Sequence, residues 1–373
     1  MSPGVDRRQV LAYRVVAQGL GRGTRAPAEL GVLDLGVQDT NVGSARLALA
    51  ARLPAGFGDP VKDPSFTLLW SFRGAPHLHR TGDLPGLAAA LWPMSDADAL
   101  ARLAAERNPL KAAGIGGREA FAVAAGAMCT VVTRPMTKGE VSAAVTARLP
   151  EAYSYRCRSC QATHVYGGLF QLAGLFAGVR LVPDRSPTTL APLEDRPPVP
   201  PTSAGAGGPI RGYLRLHGPA TLAEAAGYLG SGQAALRPAW PGDLVEVAVE
   251  GRRAWLPEER VDALRDASPA SDVVRLLPPS DPYLQARDRD LLVPDRARQK
   301  AVWRILGNPG AVLAGGEIAG VWRARGAGKA RLEITVQAFG RASAALRAAI
   351  GAEAERVAGV RGATDVRVRF EEA

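Results

Sequence analysis

Apolar and polar positions along the first part of the chain follow two periods, and the switch between them marks the elements. Over residues 7–20, Val10, Leu11, Tyr13, Val15, Val16 and Leu20 fall on one broad helical face, which Gly21-Arg22-Gly23 closes. Over residues 33–37 the period drops to two. Leu33, Leu35 and Val37 alternate with Asp34 and Gly36, which predicts a short half-buried strand. Gln38, Asp39 and Thr40 stand where that strand ends, ahead of a helical run over residues 44–52. Residues 66–72 read as a strand, Arg73-Gly74-Ala75-Pro76 as a turn and residues 77–80 as the returning strand, followed by an alanine-rich helix from Asp83. Helices ahead of a hairpin carrying Arg73, His77, His79 and Arg80 make the pattern of a winged helix.

The pattern recurs. A helix is expected over residues 117–129, and Thr137-Lys138-Gly139-Glu140 is a capping box that opens a second, ending near Leu149. The run from His164 to Phe170 leads a third, and residues 179–182 read as a strand. Residues 183–209 are proline-rich and read as a linker. A third copy has a helix over 210–217, a capping box at Thr221-Leu222-Ala223-Glu224 opening a helix that stops at Gly230, and a short helix from Gln233. Its wing is the strands 244–249 and 253–256, joined by Glu250-Gly251-Arg252. The remainder differs, with strands over 271–279, 316–323 and 330–339, a helix over 341–357 and a strand near Val366. The expected class is α+β. Three tandem winged-helix units (1–115, 116–196, and 197–267 with the linker) precede a β-rich unit over 268–373.

Composition narrows the function classes. Lys+Arg total 46 against Asp+Glu 36, a net charge of +10, and the excess is mostly arginine, which suits phosphate and base-edge contacts. The 42 glycines and many alanines fit a GC-rich coding sequence equally well, so charge alone favours nucleic acid only modestly. No apolar run approaches the ~18–20 residues that span a bilayer, and the N-terminus lacks a signal-peptide pattern. Three cysteines make no disulfide framework and fit a reducing cytoplasm, the expected location.

Few stretches offer chemistry. An amide, a carboxylate and a hydroxyl in Gln38-Asp39-Thr40 can hold a water and oppose a positive charge, or simply cap the following helix. Cys157-x2-Cys160-x3-His164 has zinc-like spacing but offers three ligands where a structural site wants four, so no metal is assigned. His77 and His79, two apart on a strand, share a face and suit contact with a nucleic-acid backbone or an extruded base, or else an ordinary solvated wing. Phosphate-binding loops, HExxH and a serine-hydrolase elbow are missing.

Leu35-Gly36-Val37-Gln38-Asp39-Thr40 followed by Ser44-Ala45-Arg46-Leu47-Ala48-Leu49 resembles the AlkZ/YcaQ-type winged-helix DNA glycosylases of bacteria. So do Cys157-x2-Cys160-x3-His164-Val165, Leu277-Pro278-Pro279-Ser280-Asp281-Pro282-Tyr283 and Gly320-Val321-Trp322-Arg323, in the same order along nearly the whole chain. The resemblance implies a concave basic channel for double-stranded DNA, excision of alkylated purines including bulky or crosslinked adducts of genotoxic natural products, a monomer, and no cofactor. The family pattern is glutamine, an apolar or aromatic residue, then glutamine or aspartate. Gln38 matches the first position, while Asp39 stands in the middle and Thr40 last.

An N7-alkylated guanine is already cationic and leaves without strong acid catalysis. The site then has to stabilise an oxocarbenium-like sugar and deliver water. Gln38, Asp39 and Thr40 are the expected catalytic residues, with Asp39 preferred as the charged group. If the strand continues uninterrupted, Gln38 and Asp39 point to opposite faces; Thr40 then joins Gln38 on the water while Asp39 holds the turn. No lysine lies near the motif, so a monofunctional glycosylase is expected. Asn41, Arg46, Arg73, His77, His79, Arg80, His164, Tyr166, Trp322 and Arg323 are the expected DNA contacts. The competing class is a winged-helix regulator or architectural protein without chemistry.

Overall fold

The computed structural model describes residues 4–23, 26–41, 43–326 and 330–371. The architecture is α+β, as expected, and its contacts divide into two units. The first comprises Met1–Pro60, Arg211–Glu224 and Gly242–Ala373, the second Val61–Ile210 and Ala225–Pro241.

The first unit is built on a five-stranded sheet in chain order, Val274–Leu277, Gly310–Ala314, Glu317–Gly326, Arg331–Ala338 and Asp365–Glu371. The first four strands are antiparallel neighbours and the last pairs parallel to the fourth. That parallel connection requires a crossover, supplied by the helix Ala344–Val360, whose Ile350, Ala354 and Val357 pack on Ile334 and Val336. The predicted hairpin Leu244–Val249 with Arg252–Pro257 is present, and Gly4–Val5 adds to its edge in parallel. The helix Arg7–Ala17 joins the two sheets. Val10 and Tyr13 face the wing hairpin while Leu11 and Val15 enter the cluster around Leu277, Tyr283 and Leu313.

A buried ion pair fastens this unit. The Arg52 guanidinium meets both carboxylate oxygens of Asp281 at 2.8 Å and also donates to the carbonyls of Gln18 and Ala48, with both partners fully enclosed. Asp281 also accepts from Tyr283 N (2.9 Å), so its lone pairs are well used. The Pro-Pro-Ser-Asp-Pro-Tyr stretch is thus a structural anchor.

In the second unit the first predicted hairpin is present, Phe66–Trp70 against Pro76–Arg80, with Phe66 opposite Arg80. Helices Gly117–Val131 and Gly167–Phe176 pack through Phe121 and Phe176, and Trp92 meets Phe176 edge-on at 4.9 Å. The capping box at Thr137 forms as predicted, Glu140 N donating to Thr137 Oγ1 and Thr137 N to Glu140 Oε2. Helix Gly167–Phe176 has no capping side chain of its own; the Glu106 carboxylate accepts from Gly168 N (2.8 Å) and Leu169 N (3.0 Å) instead. The supposed linker is partly ordered sheet. Thr189–Pro192 pairs with Val179–Val182 and with Met136–Thr137, because Leu190 and Ala191 find buried positions between prolines. Short helices at Asp96–Arg102 and Arg107–Ala112 were not foreseen.

Candidate functional site

The predicted strand over residues 33–37 is shorter than its alternation suggests. Gly31–Asp34 is a 3-10 turn, Gly36 takes φ +70°, and only Val37–Gln38 is extended. Leu33, Leu35 and Val37 are all buried even so, because a tight turn followed by a left-handed glycine also returns alternate side chains to the core. Beyond Val37 the side chains separate. Gln38 and Thr40 lie on one side, where Gln38 Nε2 donates to Thr40 Oγ1 at 2.6 Å, and Thr40 is exposed. Gln38 Oε1 is buried and has no hydrogen-bond partner among the described residues. Asp39 is buried, and its Oδ1 accepts from Ala45 N at 2.8 Å.

The helix Ser44–Ala50 explains that bond. Its N-cap position is Gly43, in a left-handed conformation (φ +87°) and without a side chain to satisfy the first amides. Asp39 supplies the missing carboxylate from upstream and sets a negative charge against the positive end of the helix. Asn41 is exposed. Arg46 projects from the same helix, donates to Asp59 Oδ1 (2.9 Å), and lines with Phe57 and Arg356 an open cavity of about 390 Å³.

Several expected DNA contacts lie elsewhere. His77 and His79 share a face, as their spacing predicts, but it is buried, as is Leu78 on the other face; each histidine is 1% exposed. His77 Nδ1 donates to the Ala75 carbonyl, His79 Nε2 hydrogen-bonds Ser71 Oγ at 2.9 Å, and both rings pack around Phe72. Burial, reinforced for His77 by His79 and Arg73, holds its imidazole neutral far below the usual range, and burial with Arg80 pushes His79 down to about 3. Both are core residues, and the expectation that they touch DNA is corrected. Trp322 is likewise corrected: 2% exposed, it donates from Nε1 to the Leu277 carbonyl, opposite Gly310 across the strand pair. A Cβ at Gly310 would come within 2.4 Å of the indole, so only glycine fits there.

Other basic residues stay accessible or turn inward. Arg73, at φ +57° in the hairpin turn, donates to the Tyr228 carbonyl and lies 5.0 Å above its ring. Arg80 pairs with Asp83 at 3.1 Å. Arg323 is exposed and donates to the Gly307 carbonyl.

The hairpin Ser154–Arg156 with Thr163–Val165, unforeseen as a hairpin, carries His164 and runs into Tyr166. Tyr155 and Tyr166 stack at 5.9 Å and 6°, and Tyr155 is 44% exposed. At its tip, one donor atom from each of Cys157, Cys160 and His164 lies within 4.8 Å of the other two, and Cys160 Sγ is 2.9 Å from His164 Nε2. Residues 157–164 are therefore the one place among the described residues where three such metal-ligating groups converge.

The family model for AlkZ-like DNA glycosylases matches residues 29–360, which spans the Gln38-Asp39-Thr40 motif and the C-terminal sheet. Among solved structures, Streptomyces sahachiroi DNA glycosylase AlkZ superposes with a TM-score of 0.76 at 22% identity, covering 99% of this chain and 100% of that one. Comparison with curated proteins gave no match. At that identity the structural likeness speaks for the fold, and the family match carries the assignment: the chain belongs to the AlkZ-like DNA glycosylase family.

Proposed function

We propose that the protein is a monofunctional glycosylase for alkylated purines of the N7-alkylguanine type, including bulky adducts, and that Gln38 and Thr40 hold the water that completes the reaction. The observation that carries this reading is the Gln38–Thr40 pair, an amide and an exposed hydroxyl 2.6 Å apart, with Gln38 Oε1 buried and unpartnered beside them. An unpaired buried acceptor is unfavourable, and a water donating to it recovers the loss. In the reaction the C1′–N9 bond breaks with its electron pair moving to the base, which neutralises the N7-alkyl cation. Water then adds to C1′ of the oxocarbenium-like sugar, one hydrogen held by Gln38 Oε1, its oxygen facing the Thr40 hydroxyl, and its second proton released to solvent. A cationic leaving group makes strong acid catalysis unnecessary, so the Gln38–Thr40 pair needs no carboxylic acid beside it.

Asp39 is assigned a positioning role through Ala45 N, instead of the charged catalytic role preferred on sequence grounds. Among the described residues no lysine falls within the motif, which supports hydrolysis without a Schiff-base step. Damaged double-stranded DNA is the proposed partner, with Asn41, Arg46 and Arg323 retained as its contacts and the chain acting as a cytoplasmic monomer. The three winged-helix units and the four-part division are kept as a reading of successive supersecondary segments, of which 1–115 and 197–267 each contribute residues to both compact units.

The test is release of free base from duplex DNA carrying N7-methylguanine or a bulky N7 adduct, by wild type, Gln38→Ala and Thr40→Ala. Excision that both variants leave untouched removes the proposed site. Duplex binding without any base release favours the regulator reading.

A further inference from the structure

Cys157, Cys160 and His164 play no part in the reaction proposed above, yet the hairpin tip gathers them. Ser154–Arg156 pairs with Thr163–Val165, and Cys157 N donates to the Ala162 carbonyl at 2.8 Å, closing a loop that begins and ends in register. Gln161 takes φ +56° immediately after Cys160, a left-handed conformation unusual for a residue with a side chain, and this turns the chain back so that both sulfurs face the same side as His164. Cys157 Sγ lies 3.1 Å from Ser159 Oγ at the start of the same turn.

The spacing fits a tetrahedral ion. Zinc bonds of ~2.3 Å to sulfur and ~2.0–2.1 Å to nitrogen place neighbouring donors about 3.5–3.8 Å apart. The three atoms already lie within 4.8 Å of one another, and the Cys160–His164 pair at 2.9 Å needs only to open slightly. Shifts of about 1 Å or less suffice.

We propose that this hairpin tip is a zinc site, with Cys157 and Cys160 as thiolates, His164 through Nε2, and water in the fourth position. Two sulfurs and one imidazole select zinc over magnesium or calcium, and two thiolates balance the charge of the ion. On binding, the two thiol protons pass to solvent. The ion clamps a hairpin otherwise held by three residue pairs, and fixes the exposed Arg156 and Arg158 beside the Tyr155–Tyr166 stack. Rigid placement of two guanidinium groups next to an aromatic face suits contact with a phosphate backbone. This site is independent of the Gln38–Thr40 chemistry, so either can fail without the other.

The experiment uses the full chain, free of any histidine tag, purified under reducing conditions. Elemental analysis is expected to find about one zinc per chain. After chelation, titration with Co2+ is expected to give visible ligand-field bands of a tetrahedral site together with a near-ultraviolet sulfur-to-cobalt charge-transfer band. Cys160→Ser and His164→Ala are expected to lose stoichiometric metal. Cys129→Ser should retain it, since that thiol lies against Arg196. Chelator should lower the melting temperature of wild type. Substoichiometric zinc with no thiolate–cobalt band in the wild-type chain overturns the proposal without recourse to any variant. Full metal content in Cys160→Ser, or a Cys157–Cys160 disulfide in anaerobically prepared protein, overturns it as well.

Discussion

Replacing Asp39 by asparagine separates its shape from its charge. An asparagine oxygen can still accept from Ala45 N, and asparagine caps helices about as well as aspartate, so the fold keeps its bond at 2.8 Å. What is lost is the interaction of a carboxylate with the helix dipole, about 0.3–1 kcal/mol. Asp39→Ala leaves the amide unpaired in a buried position and should cost about 1–3 kcal/mol. Neither variant removes a group proposed to hold the water, so Asp39→Asn should excise N7-methylguanine with a rate loss well under the ~10²-fold that follows removal of a general base. Gln38→Ala removes the acceptor itself and should lower the single-turnover rate by about 10²–10³, the scale of losing one hydrogen bond aimed at the transition state. Thr40→Ala should cost about tenfold or less. The assay pairs single-turnover base release with urea unfolding on the same preparations. A loss of ~10²-fold or more in Asp39→Asn at unchanged stability would refute the positioning role and return the catalytic charge to Asp39.

Three further outcomes follow from the packing. Arg52→Met strands the enclosed Asp281 carboxylate and should destabilise the protein by about 3–5 kcal/mol in urea unfolding, whereas a surface arginine such as Arg296 should matter little. Gly310→Ala drives a methyl into the Trp322 indole and the Leu277 carbonyl and should cost about 1–3 kcal/mol, with a changed near-ultraviolet signal from that tryptophan. Stability should fall on acidification: His79 takes up its proton near 6.5 when unfolded but only at about 3 when folded, so below pH 6.5 the unfolded chain binds more protons. The penalty grows by up to ~1.4 kcal/mol per pH unit for each buried histidine, and His79→Gln should flatten the slope of unfolding free energy between pH 6.5 and 4.5 by close to one proton.

Much of the fold can be read from local signals because those signals are local in origin. The capping boxes at Thr137 and Thr221 involve partners three residues apart, and the hairpin turns announce themselves through glycine and proline. What could not be read is how deeply an element is buried. His77 and His79 obey their period, but Leu78 between them is buried as well, so neither face of the strand centre meets water and the alternation carries no inside–outside signal. The Pro-Pro-Ser-Asp-Pro-Tyr stretch was visible only as a resemblance. Its reason lies in Arg52, a partner 229 residues away. The Gln38-Asp39-Thr40 triplet was legible as a polar cluster at an element boundary, but the inward turn of Asp39 depended on Gly43 being unable to cap its own helix. Glycine at that position was the one clue available in the chain.

The way the first unit is assembled bears on how the protein is made. Its sheet edge pairs Gly4–Val5 with Ala248–Val249, and Arg52 waits for Asp281, so its first sixty residues have no complete core until the C-terminal sheet has left the ribosome. Most of the second unit is one continuous run, Val61–Ile210, which lets it consolidate earlier during synthesis. Until release, the nascent N-terminal helix Arg7–Ala17 exposes both of its apolar faces. A premature stop before the final strands would therefore leave the Gln38-Asp39-Thr40 stretch without the sheet its unit is built on, giving a partly folded product exposed to chaperones or proteolysis.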